Sequence, residues 1–224
     1  SPTYGPLPGP RLVIKDVTCA TNERTIIAAV TSRVPCGNTA TLIRYDPPDL
    51  FSVLWLCCVM NSFAFDYHMR LRLGGLHATW NYLEEGRLPT VSRSVQAILV
   101  ELAARLSLPA LWFAPEWVSL NLPQPGGPWR ELFAVTTHER LRLRSIVDAT
   151  ILCLFGLGCS EVLWVFRDCD FPSHKSLGSI KSSFDSKGFW RVDKDMPPEH
   201  RQTVLTQIAF HDIEEKIREH GGDR

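Results

Sequence analysis

An excess of either charge is missing from this chain: across 224 residues, 24 Lys and Arg balance 24 Asp and Glu. The broad basic field that draws a protein toward phosphates is therefore absent on average. Glycine-rich phosphate loops are missing too. Neither GxGxxG nor the Walker pattern occurs, so no row of backbone amides is laid out for a phosphate, and the pair Gly74-Gly75 reads more simply as a helix stop. The seven cysteines are odd in number and contain no CxxC, which excludes an evident zinc site or disulfide framework. Histidines at HxxxH spacing and a GxSxG nucleophile elbow are likewise absent. The nearest approach to a carboxylate metal cluster is Asp193-Lys194-Asp195, and a charged run of that kind is usually solvated surface. With no catalytic motif, the chain reads as a binder or as support for one.

Long apolar runs are also scarce. The longest, 50–60, is interrupted by Asn61 and Asp66 and is too short to span a bilayer. No charged segment followed by an apolar stretch and a small-residue cleavage site opens the chain, which makes a cytoplasmic location the expectation. Its first ten residues hold four prolines and two glycines, as expected of a linker from an upstream domain.

What is present is an ordinary globular pattern, with 45% hydrophobic residues. Three short segments rich in β-branched residues, RLVIKDVT, TIIAAV and TATLIRY, are separated by turn-forming TNER and PCGN. They predict a small, mostly antiparallel sheet. An apolar helix is expected over 48–73, ending at the glycine pair, and a second over 94–106. The stretch 109–129, with five prolines and three tryptophans, predicts an irregular connection. Thr136 followed by Glu139 is a capping-box pattern opening a helix to about Phe155, and Ser160 is placed to cap a short helix through Phe166. A polar ribbon is expected over 170–195, then a last helix whose first turn takes Pro198, with Val204, Leu205, Ile208, Ile213 and Ile217 on its apolar face. The fold class is α+β. It divides into a linker (1–10), a core of sheet and helices (11–108), the Pro/Trp-rich connection (109–130) and a mostly helical part (131–224).

Two stretches carry most of a family likeness. RLVIKDVTCATNERTIIAAV, followed by LFSVLWLCCVMNSFAFDYHMRLRLGGLHATWNYLEEGRLP, resembles the specificity region of type IIG and TaqI-like adenine-specific DNA methyltransferases. The matched positions are Asn61, Ser62, Phe63, Phe65, Asp66, Arg70, Gly74, Gly75, His77, Asn81 and Pro89. LRSIVDATILCLFGL and GFWRVDKDMPPEHRQTVLTQIAFHDI are similar to the C-terminal extension of the large members used in restriction and phage defence. The cofactor glycine motif and the catalytic NPPY-type motif of that family do not occur here. The resemblance thus implies a target-recognition role, with double-stranded DNA as partner. An upstream methyltransferase domain would hold S-adenosylmethionine and methylate a flipped adenine. No cofactor is expected in this chain itself.

The candidate DNA contacts follow from position and residue type. Asn22 and Arg24 sit in a polar turn between strands, from which side chains can enter a groove; equally, Asn22 suits the turn and Arg24 can pair with Glu23 or Asp16. Arg70 and Arg72 follow the apolar helix with no acid close in sequence, as phosphate ligands or as cations answering the helix dipole. His77, Thr79 and Asn81 lie in the loop after the glycine pair, either touching bases or simply returning the chain. Lys175, Lys181, Lys187 and Arg191 make a second phosphate-contacting ribbon, or a solvated loop. Asn61 and Asp66, polar groups in apolar surroundings, are expected to brace buried structure. The alternative function is a scaffold that docks onto the methyltransferase domain or a defence-system partner.

Overall fold

A computed structural model describes residues 9–31, 35–120, 132–167, 189, 193 and 195–221. Its first layer is a three-stranded antiparallel sheet in the order β2-β1-β3, built from β1 (Arg11–Lys15), β2 (Ala28–Thr31) and β3 (Ala40–Ile43). Register follows alternation. Leu12 pairs with Val30 and Ile14 with Ala28, so the buried residues of the two strands share one face. That face receives α1 (Leu50–Met60), whose N-cap Asp49 accepts from the Phe51 amide at 3.0 Å. Val53, Leu54 and Val59 are fully buried, as befits a helix packed on several sides.

The expected helix over 48–73 is two helices. α2 (Phe63–Arg70) leaves α1 at an angle of 64°. The break is made by side chains: Ser62 Oγ donates to Val59 O at 2.7 Å and accepts from the Phe65 amide at 3.2 Å, so it closes one helix and caps the next. Asn61 turns the other way. Its amide oxygen accepts from Ala28 N at 3.1 Å and its nitrogen donates to Ala28 O at 2.8 Å, serving the outer edge of β2 as a fourth strand would. The glycine pair is not the stop, because α2 ends at Arg70 with Leu71 still in right-handed helical conformation.

The chain continues through α3 (Trp80–Glu84) and α4 (Arg93–Ser107), the latter capped by Ser92 and packed on α1. The expected irregular connection is partly helical. A 3-10 turn (Leu111–Phe113) runs into α5 (Ala114–Leu120), where Pro115 is accommodated because the first turn needs no donor from it.

α6 (Thr137–Leu154) begins at the expected cap, with Glu139 N donating to Thr136 Oγ1 at 3.1 Å. The Glu139 carboxylate instead reaches Arg105 of α4 at 2.7 Å, so half of the capping box is spent on a helix pair. Gly156, at φ +73°, takes the left-handed position after the helix. α7 (Cys159–Arg167) starts one residue before Ser160, and the Gly158 amide is satisfied by Glu161 at 2.6 Å. After a 3-10 turn (Pro198–His200), α8 (Gln202–Glu219) lies along α6.

The apolar face expected for α8 is only partly buried: Val204, Leu205, Ile213 and Ile217 are half-buried, with Ile213 packed on the core. Thr203, Thr206, Phe210 and Glu214 face inward, while Ile208 is 54% exposed. Polar pairing decides this: Thr203 bonds Asp193 through both its amide and hydroxyl, and Glu214 accepts from the Cys159 thiol at 2.8 Å. The buried apolar cluster runs continuously from the sheet through α1, α2 and α4 to α6, α7 and Phe210 of α8. No single described helix is long and apolar enough to cross a membrane.

Candidate nucleic-acid interface and the ion cluster beneath it

The turn between β1 and β2 is held from below by one stripe of α2. Asp66 Oδ1 accepts from Thr25 N at 2.8 Å and Ile26 N at 3.0 Å. One turn along, Arg70 donates to Asn22 O at 2.9 Å and Glu23 O at 2.5 Å, and contacts Asp66 at 3.4 Å. The turn also binds itself, with Asn22 Nδ2 donating to Thr18 Oγ1 at 3.2 Å and Thr18 Oγ1 to Thr25 O at 2.7 Å. Asn22 therefore shapes the turn.

Arg24 points inward from that turn. Its guanidinium lies 3.8 Å from the Phe63 ring centroid and within 4.0 Å of both Asp66 and Asp148. Arg70 stacks 4.0 Å from the Phe189 centroid, and Phe63 and Phe189 meet edge to face at 4.7 Å. Two guanidiniums, two carboxylates and two rings thus form one buried cluster. Asp148 completes it by accepting from Phe63 N at 2.8 Å and Gln202 Nε2 at 2.7 Å.

Burial governs the acidity of this cluster. Desolvation raises Asp148 to about 6, against the opposing pull of Arg24, the Phe63 amide and Gln202. Asp66 is raised by the same cause despite two nearby guanidiniums and two amides. Both carboxylates are thus held by geometry more than by charge alone. The arrangement braces a turn, and the Arg70 guanidinium has no open side toward a phosphate, its side chain being only 2% exposed.

The surface element is the loop 71–79, which the fold ties to the end of β1. Val17 and His77 form an antiparallel bridge, Thr18 N donates to Leu76 O at 2.9 Å, and Ala78 N donates to Asp16 O at 2.8 Å. Leu73 and Ala78 are buried anchors, whereas Leu71, Leu76 and Trp80 are exposed. His77 between the anchors and Thr79 just after them face solvent, and Asn81 follows on the first turn of α3, also exposed.

The basic side chains of this loop have acidic partners. His77 Nδ1 is 2.7 Å from Asp16, and Arg72 is 2.6 Å from Glu85. Of the sequence candidates, Asn22, Arg24 and Arg70 meet in and above the cluster, while Arg72, His77, Thr79 and Asn81 share the outer loop region. Lys175, Lys181, Lys187 and Arg191 lie outside the described residues.

Several residues that matter here carried no signal as a group. Asp148 and Gln202 are 54 positions apart, and Phe63 and Phe189 farther still, so only the tertiary fold assembles them. Gly86 is another. A Cβ there would sit 2.6 Å from Phe65 Cζ, so its role is close approach between the 83–86 turn and α2. Among the described residues no group of three or more His, Cys, Asp or Glu is arranged to hold a metal. No protein-family model matches the chain, and neither a curated protein nor a solved structure matches it.

Proposed function

We propose that this chain is the target-recognition region of an adenine-specific DNA methylation system, gripping duplex DNA while a separate methyltransferase domain binds S-adenosylmethionine and acts on a flipped adenine. The observation that carries the reading is the exposed loop 71–79, pinned at buried Leu73 and Ala78 and presenting His77, Thr79 and nearby Asn81 to solvent. Side chains on a braced loop pay little ordering entropy when they enter a groove, which is what base reading needs. Asn81 has the donor and acceptor of an adenine reader, and Arg72 is available to phosphate once it exchanges Glu85 for the backbone. Arg24 and Arg70 enter the proposal as braces that set the turn beneath the loop.

Binding to a mixed-sequence duplex, followed by fluorescence anisotropy over a salt series, tests this reading. Affinity should fall steeply with salt, and Arg72→Ala should reduce the salt slope by about 1. Replacing Thr79 and Asn81 together by Ala should weaken binding at least tenfold with the circular dichroism spectrum unchanged. Absence of any salt-sensitive affinity overturns it.

A second reading has its own support. An apolar groove of about 440 Å³ lies between α2 and α7, lined by Tyr67, Leu71, Phe155, Trp164 and Val165. Leu71 is 65% and Trp164 50% exposed, which suits a scaffold docking onto the methyltransferase domain or a defence-system partner. Salt-insensitive association with that domain, and no DNA affinity, would favour it.

A further inference from the structure

A second cleft lies away from the loop. It holds about 560 Å³ between the outer edge of β2 and the face of α6, within the range of small-ligand sites. Its two walls differ in chemistry. Ala28, Cys57, Cys58 and Ala103 line an apolar side, and Val147 adds an apolar group from α6. On the other, α6 presents Arg140, Arg144 and Asp148 at successive turns, and Arg24 adds a third guanidinium at the Asp148 end.

These arginines are not neutralised alike. Arg24 has Asp148 and Asp66 within 4.0 Å. Arg140 spends one nitrogen on the carbonyls of Leu106 and Ala134, at 2.9 and 3.2 Å, and Arg144 directs only its Nε to Arg140 O at 3.4 Å. Neither forms a salt bridge among the described residues. Asp148 acts on Arg144 through space, but its two oxygens are bonded to Phe63 N and Gln202 and not to either arginine. Glu23 and Asp148 share the cleft with them, but neither carboxylate comes within 4.0 Å of the Arg140 or Arg144 guanidinium. Two guanidiniums one helical turn apart, on the rim of an apolar cleft, thus form a receptor for an anion with a flat apolar body. Their fork geometry and doubled charge favour a phosphate over a single carboxylate. The chain has no glycine-rich loop, so these side chains must carry the phosphate.

We infer that this cleft binds a nucleoside monophosphate, its phosphate on Arg140 and Arg144 and its base against the apolar wall of Ala28, Cys58 and Ala103. The site stands without the duplex reading, since it is probed with free nucleotide alone, and either can fail by itself.

Calorimetric titration of the full chain with the four common nucleoside monophosphates is the test, with inorganic phosphate and the free nucleosides as comparators. At least one nucleotide should bind, with phosphate alone and the matching nucleoside each at least tenfold weaker. Arg144→Glu should lower nucleotide affinity at least tenfold while the circular dichroism spectrum is unchanged, and Arg144→Gln replaces it should the reversed charge perturb folding. Ser107→Trp, which places an indole on the cleft wall, should abolish binding in the same way. The inference is overturned if no nucleotide binds, if phosphate alone binds as tightly as any nucleotide, or if the folded Arg144 variant binds like the parent.

Discussion

Arg70 and Arg72 are two positions apart and chemically identical, yet the fold assigns them opposite circumstances. Arg70 is buried against Asp66, two carbonyls and the Phe189 ring, whereas Arg72 meets Glu85 in a pair that is largely solvated. Removing one partner of a buried pair leaves the other charge uncompensated, so Arg70→Ala should cost about 3–5 kcal/mol. Arg72→Ala should cost about 1 kcal/mol or less, because exposure screens its pair. Urea denaturation of the two variants checks this, and equal costs would contradict the burial difference. Glycines divide in the same way. Gly86→Ala drives a methyl into Phe65 and should destabilise by about 1–3 kcal/mol. Gly75 has nothing within 4 Å of its would-be Cβ and no left-handed φ, so Gly75→Ala should be neutral or stabilising by up to about 1 kcal/mol. The sequence makes Gly74-Gly75 conspicuous, but the steric demand sits at Gly86.

At the scale of elements, local rules in the sequence were legible where one residue acts on its own neighbourhood. Thr136 caps the helix it precedes, and β-branched alternation marks three strands of one antiparallel sheet. Elements shaped by partners from elsewhere were not legible. The 48–73 helix bends because Asn61 is drawn to the β2 edge and Ser62 starts a new turn, and hydropathy contains neither event. α8 buries Thr203 and Thr206 and leaves Ile208 exposed, because Asp193 is there to bond Thr203. The outer loop region stands out by its position after an apolar helix, yet its contacts with Asp16 and Glu85 join residues distant in sequence. Asn61→Ala isolates one such long-range effect. It strips the Ala28 amide of its side-chain partner and leaves the carbonyl only the Cys57 thiol, and should cost about 1–3 kcal/mol, with faster amide exchange at Ala28 and little change at Val13 in the next strand. Uniformly faster exchange along the sheet would mean Asn61 does not act at the edge.

At the scale of the whole molecule, Asp148 is the point where distant segments meet. It bonds the start of α2 through Phe63 N and the start of α8 through Gln202, and it faces Arg24 from the turn before β2. Its carboxyl is raised from 3.8 to about 6, so the folded chain takes up a proton in a range where the unfolded chain has none. The sign follows. This group contributes most stability below about pH 4, loses that contribution as pH climbs toward 6, and is flat above. Two pKa units correspond to about 3 kcal/mol. Asp66, shifted the same way by burial, adds to the slope with the same sign. Other carboxylates oppose it, so the contribution is read as a difference. Asp148→Asn keeps an acceptor for the Phe63 amide and cannot ionise; turned over, the Gln202 amide meets its new donor. Relative to the parent, the variant should gain about 3 kcal/mol between pH 4 and pH 7, followed by urea midpoints across that range. A difference that does not change with pH would show that Asp148 ionises as freely in the folded chain as in the unfolded one. The desolvation that joins α2, α8 and the turn would then be far weaker than its burial implies.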